Sequence, residues 1–60
     1  MKYSEFERWL KSQGVEIIRQ KGSHKIVRLN GKQTVFPSHG AKEIGEGLRK
    51  KIIKDLGLKD

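Results

Sequence analysis

Gly22-Ser23-His24-Lys25-Ile26-Val27-Arg28-Leu29-Asn30-Gly31-Lys32-Gln33-Thr34-Val35-Phe36-Pro37 is the stretch that decides the fold. At its centre, Asn30-Gly31 is the strongest short hairpin signal, a two-residue turn that needs positive φ at both positions. His24 to Leu29 and residues 32–36 flank it as short runs rich in β-branched and apolar residues, and read as two antiparallel strands. Pro37 ends the second run, because it has no N–H to continue a ladder. The turn also fixes the register. Leu29 faces Lys32, Val27 faces Thr34 and Lys25 faces Phe36, so His24, Ile26, Arg28, Gln33 and Val35 fall on the opposite face. Both faces carry apolar residues. Val27, Leu29 and Phe36 are favoured as the core set, which leaves Ile26 and Val35 half-exposed beside His24 and Arg28.

Upstream of the hairpin, residues 15–20 read as a further short strand, and Lys21-Gly22-Ser23 turns the chain into the next. A first helix is expected over about residues 4–12. Ser4 stands three residues before Glu7, the capping-box spacing, and Phe6, Trp9 and Leu10 form one apolar stripe. Gly14 supplies a left-handed stop. A last helix is expected over about residues 46–56, with Leu48, Ile52, Ile53 and Leu56 as its stripe. Gly57 terminates it and Leu58 packs back, as in a Schellman motif. The order α-β-β-β-α gives an α+β fold: a three-stranded antiparallel sheet with two helices on one face.

Sixty residues, 33 % of them apolar, support one small core and a single domain spanning 1–60. A chain this short is expected to be only marginally stable. It has no cysteine, hence neither a disulfide framework nor a thiolate metal site. The longest unbroken apolar stretches are pairs such as Ile17-Ile18 and Ile52-Ile53, too short for a membrane span or the core of a signal peptide. A soluble cytoplasmic domain is the expectation. The formal charge is +7, and it is unevenly spread. Residues 21–40 carry Lys21, Lys25, Arg28 and Lys32 with no acid at all, together with both histidines, His24 and His39. A one-signed field around the two imidazoles points to a polyanionic partner, although charge of this size also serves solubility.

Two histidines fifteen residues apart, with no cysteine and no H-E-x-x-H pair, fall short of a zinc site's three or four ligands. No cofactor is expected. Ser23-His24 cannot act as a nucleophile pair, since neighbours on a strand point to opposite faces. Phosphate-cradling glycine motifs are absent. The imidazoles remain. His24 follows Gly22, where backbone can approach a phosphate closely, lies between Lys21 and Lys25, and shares a face with Arg28. An RNA strand would be held by Lys21, Gly22, Ser23, Lys25, Arg28 and Lys32. The register sets His24 opposite Pro37, so His39 is expected as a diagonal neighbour, about 7–8 Å away on the same face. Two such imidazoles suit RNA cleavage without metal: one takes the ribose 2′-OH proton, the other protonates the leaving 5′ oxygen, and cations stabilise the phosphorane. Arg49, Lys50, Lys51 and Lys54 lie in the middle and C-terminal half of the last helix, where they complement its dipole, and read as a solvated face.

The α-β-β-β-α order, Gly22-Ser23-His24 entering the second strand, the Pro37-x-His39 step and the ending Leu48-Arg49-Lys50…Leu56-Gly57-Leu58 together resemble the HicA family, from Ser4-Glu5-Phe6 to Leu58. HicA is the RNA-cleaving toxin of HicA–HicB toxin–antitoxin pairs. The resemblance implies a double-stranded-RNA-binding-domain-like fold, cleavage of mRNA, and one catalytic histidine, which carries over onto His24. His39 matches a residue common in the family and is a second candidate. A HicB-type antitoxin is implied as the protein partner, and Ile26 and Val35 beside His24 suit its interface.

The rival reading is a non-catalytic RNA-binding module of the same fold. Double-stranded RNA binders read shape across two minor grooves and the phosphates between them. In the fold family as usually described, lysines at the start of the last helix make much of that contact. Here the segment is Lys42-Glu43-Ile44-Gly45-Glu46-Gly47, with two acids and two glycines, which weakens that reading. A small antitoxin or DNA-binding adaptor finds no helix-turn-helix signature in its favour.

Overall fold

Asn30 and Gly31 take φ of 50° and 80°, the left-handed values that the tight turn demands. The computed structural model describes residues 1–59. In order, the elements are α1 (Tyr3–Ser12), β1 (Glu16–Lys21), β2 (His24–Leu29), β3 (Lys32–Pro37) and α2 (Glu46–Asp55). The strands form one antiparallel sheet in the order β1-β2-β3. Every pair counted from the turn is realised, from Leu29 opposite Lys32 to His24 opposite Pro37.

Both helices cover the face that carries Val27 and Phe36. Phe6 and Leu10 of α1, Val27, Phe36, and Ile52, Ile53 and Leu56 of α2 and its cap are buried in one cluster, with Leu29 and Leu58 packed against it. Phe36 has no exposed surface and meets the rings of Tyr3 and Phe6 at centroid distances of 6.0 and 6.1 Å. The opposite face is open, and Val35 remains 43 % exposed on it.

Several boundaries differ from the sequence reading. Pro37 belongs to β3 rather than ending it. The Ser38 N–H donates to the Ser23 carbonyl at 2.6 Å, so His24 and Pro37 form a non-hydrogen-bonded pair, a position where no N–H is needed across the ladder. Lys21 likewise lies in β1, paired with His24, and only Gly22-Ser23 forms the turn. Val15 precedes the strand, buried, with its N–H on the Leu10 carbonyl. Helix α2 ends at Asp55, one residue early. Its closure is the expected Schellman motif: Gly57 N–H bonds Lys54 O, Leu58 N–H bonds Ile53 O, and Gly57 has φ of 70°.

Helix α1 starts at Tyr3, and Lys2, not Ser4, is its N-cap. The Glu5 carboxylate accepts the Lys2 N–H at 2.7 Å. The orphan N–H groups of Tyr3 and Ser4 donate to the Lys42 and Gly40 carbonyls of the loop before α2. Tertiary hydrogen bonds thus do what the Ser4–Glu7 box was expected to do. The same loop carries Ile44 into the core, where a sequence stripe gave no sign of it.

Glu7 is thereby free for another task. Its half-buried carboxylate accepts from the Lys25 Nζ at 2.9 and 3.1 Å, pairs with Lys11 one turn on, and meets the Ser38 hydroxyl. Burial pushes this carboxyl up, but the two ammonium groups outweigh it and hold it below its usual 4.5. A carboxylate with a depressed folded-state pKa stabilises the protein above the unfolded value and loses that contribution as pH falls through the folded value. Glu7→Gln should therefore lower stability at pH 7 by about 1.5–3 kcal/mol, the range for hydrogen bonds to charged groups. The gap should shrink below pH 4.5 and close under stronger acid. Urea unfolding of both proteins between pH 7 and pH 3 checks this; a gap that stays constant with pH contradicts it.

Candidate active site

The open sheet face gathers one cluster of chemically capable side chains. Gly22, with φ of 60°, and Ser23 make the turn that sets Lys21 directly opposite His24. Two residues along, Arg19 stands opposite Ile26, and Ile26 stands opposite Val35 of β3. These five residues, Arg19, Lys21, His24, Ile26 and Val35, line a concavity of about 310 Å³. The aliphatic pair gives it an apolar wall, and the two cations and the imidazole give it polar groups. No ion pair among the described residues engages Arg19 or Lys21, so their charge is available to a ligand.

The sequence reading did not single out Arg19 as a site residue. It pairs with Ile26 in regular register from the Gly22-Ser23 turn, and the β-bulge between Ile17 and Arg19, which leaves Ile18 without a partner across the ladder, begins only beyond it. Counting outward from a two-residue Gly22-Ser23 turn would have placed Arg19 opposite Ile26, because the bulge lies beyond that pair. Treating Lys21 as part of the turn concealed this.

The other expected site residues are spread more widely. Arg28 lies on the same open face, opposite Glu16 and Gln33, about 13 Å along the strand from His24 at the usual rise per residue. Lys25 points the other way and is held by Glu7. Lys32 lies at the far end of the hairpin on the helix-covered side, opposite Leu29. His39 does not line the concavity. Its ring stands edge-on to Tyr3 of α1 at a centroid distance of 5.0 Å, and Tyr3 in turn packs on Phe36. The chain leaves the sheet plane after Pro37 to place its loop carbonyls over the start of α1, and this carries His39 toward the helices.

Among the described residues, no group of three or more histidine, cysteine or acidic side chains converges to hold a metal ion. No helix there is long and apolar enough to cross a membrane. The arrangement can do two things: attract a phosphate to Arg19 and Lys21, and offer it an imidazole for proton transfer.

Residues 3–58 match the family model described as the HicA toxin of bacterial toxin–antitoxin systems. The chain is similar to the "Probable mRNA interferase HicA" of Pseudomonas fluorescens (strain Pf0-1), 75 % identical over 60 residues and covering all of both chains. It is similar also to the "Probable mRNA interferase toxin HicA" of Escherichia coli (strain K12), 50 % identical over 58 residues, 97 % of this chain and 98 % of that one. Among solved structures, a chain from the crystal structure of the E. coli HicAB toxin–antitoxin complex superposes with a TM-score of 0.87. It is 48 % identical, and the match covers 97 % of this chain and all of the other.

Proposed function

The chain belongs to the HicA toxin family, and from that premise we propose that it is an endoribonuclease that cuts mRNA at His24 without a metal ion and is restrained by a HicB-type antitoxin. Its relatives carry the name mRNA interferase, and its structural neighbour comes from a complex with an antitoxin. The observation that carries the residue-level reading is the placement of His24 on an open face, within a concavity lined also by Arg19 and Lys21.

In this mechanism the phosphate sits against Arg19 and Lys21 while the His24 imidazole accepts the proton of the adjacent ribose 2′-OH. The 2′ oxygen attacks phosphorus, the bond to the 5′ oxygen breaks, and that oxygen takes a proton from water. The products are a 2′,3′-cyclic phosphate and a 5′-hydroxyl. The cations stabilise the extra negative charge of the phosphorane, a term that is strongest when the donors are already in place. Gly22 and Ser23 allow close approach of the strand, and Arg28 extends the positive track. Lys25 and Lys32 lie on the other face and act on RNA only through the overall field. With His39 engaged by Tyr3, the reading rests on one imidazole.

Two cations beside His24 disfavour a divalent ion there. Cleavage should therefore survive excess EDTA and leave 2′,3′-cyclic phosphate or its 3′-phosphate product, as read by mass spectrometry of the ends. Ends bearing 3′-hydroxyl with 5′-phosphate would overturn the mechanism. The non-catalytic binding module is less well supported. In the segment where such a module presents lysines, Glu43 binds the N-terminal ammonium at 2.8 Å and Glu46 pairs with Arg49.

The same open face serves the partner. Ile26 and Val35 form an uncovered apolar patch beside His24, so an antitoxin seated there would exclude RNA and cover the imidazole at once.

A further inference from the structure

We infer that the concavity beside His24 is a base-binding subsite: Ile26 and Val35 receive the face of one unpaired nucleobase, which restricts cleavage to single-stranded RNA. This rests on the endoribonuclease reading and adds to it the form of the substrate.

A concavity of about 310 Å³ lies at the small end of ligand clefts, which run from roughly 300 to 1,000 Å³, and it suits one nucleotide rather than a helical segment. A site for phosphate alone needs only cations and N–H groups. Here the cations share the lining with an aliphatic surface made by Ile26, half-buried, and Val35, 43 % exposed. A nucleotide has the matching division, an anionic phosphate joined to a flat base with apolar faces. Ile26 and Val35 have no hydrogen-bonding side-chain group, so this surface accepts any base without reading its edges. The planar Arg19 guanidinium beside them can stack on the base or fork a phosphate.

Topology then excludes a duplex. In A-form RNA the base faces are stacked inward, and a protein meets only base edges, 2′-hydroxyls and phosphates. For a base to reach Ile26 and Val35 while its phosphate meets Lys21, it must leave the stack, which is far easier in an unpaired strand.

The test uses the whole chain and a short RNA with one cleavage site. An abasic ribose, which keeps its 2′-OH, replaces the nucleotide on either side of the scissile phosphate in turn. One of the two replacements should slow cleavage by roughly tenfold or more, the scale for losing an apolar contact in a pocket. Annealing a complementary strand should slow it at least as much. Val35→Thr keeps the shape and strand preference of an exposed position and should fold normally. It should slow the intact RNA more than the abasic one, since both changes remove the same contact. If both abasic RNAs are cut as fast as the intact one while His24→Ala is inactive, the subsite is refuted and the endoribonuclease reading stands. Equal cutting of the duplex refutes it too. If the parent chain leaves the intact RNA uncut, both readings fall.

Discussion

A His24→Ala protein should fold as the parent does and cleave RNA about 10²–10⁴-fold more slowly, the usual scale for losing one acid–base group. The imidazole is exposed at the edge of the turn and contributes nothing to the core cluster. Its removal should therefore change stability by less than about 1 kcal/mol. Cleavage rates on a defined RNA and urea unfolding separate the two effects. In cells, induction of the parent should arrest growth and induction of the variant should not. His39→Ala is the informative companion. Because His39 packs on Tyr3 and lies outside the concavity, its loss should leave the cleavage rate within a few-fold of the parent. A His24→Ala protein that folds and still cuts removes His24 from the mechanism. A His39→Ala loss as deep as that of His24→Ala would restore a two-imidazole mechanism.

Phe36→Ala should remove between about a third of the chain's stability and all of it. Truncating a fully buried phenylalanine costs about 3–5 kcal/mol, through lost transfer energy and the cavity left behind. Native stability of roughly 0.05–0.15 kcal/mol per residue gives a sixty-residue domain only about 3–9 kcal/mol in total. Phe36 is also the one ring that joins Tyr3 and Phe6 of α1 to the sheet, so its loss loosens two layers at once. Val35→Ala, one residue away on the open face, is the control and should cost under about 1 kcal/mol. Circular dichroism and urea midpoints of the pair decide it. Equal midpoints would mean that the helix-covered face is not the core.

The hairpin and its register were legible because they depend on local sterics. Asn30-Gly31 alone admits the required positive φ, and side-chain alternation then assigns every residue of β2 and β3 to a face. The end of α2 was legible for the same reason, since Gly57 has the φ that closes the helix and Leu58 follows onto the core. The hairpin register alone placed His24 on a sheet face beside Ile26 and Val35. The choice between faces was made by the helices, which bury Val27 and Phe36 and leave the other side open.

Tertiary structure alone decided the rest. The start of α1 is set by the Gly40 and Lys42 carbonyls, which satisfy its orphan donors from forty residues away in sequence, so a local capping pattern at Ser4 had no hold on it. Glu7 left that pattern for Lys25, because an ion pair and a hydroxyl were within reach across the layer. His39 followed its loop toward Tyr3. Positive φ and side-chain alternation are properties of a few adjacent residues and can be read from them. The partners of orphan donors and charges are fixed only when distant segments meet, and the sequence by itself does not say which segments those are.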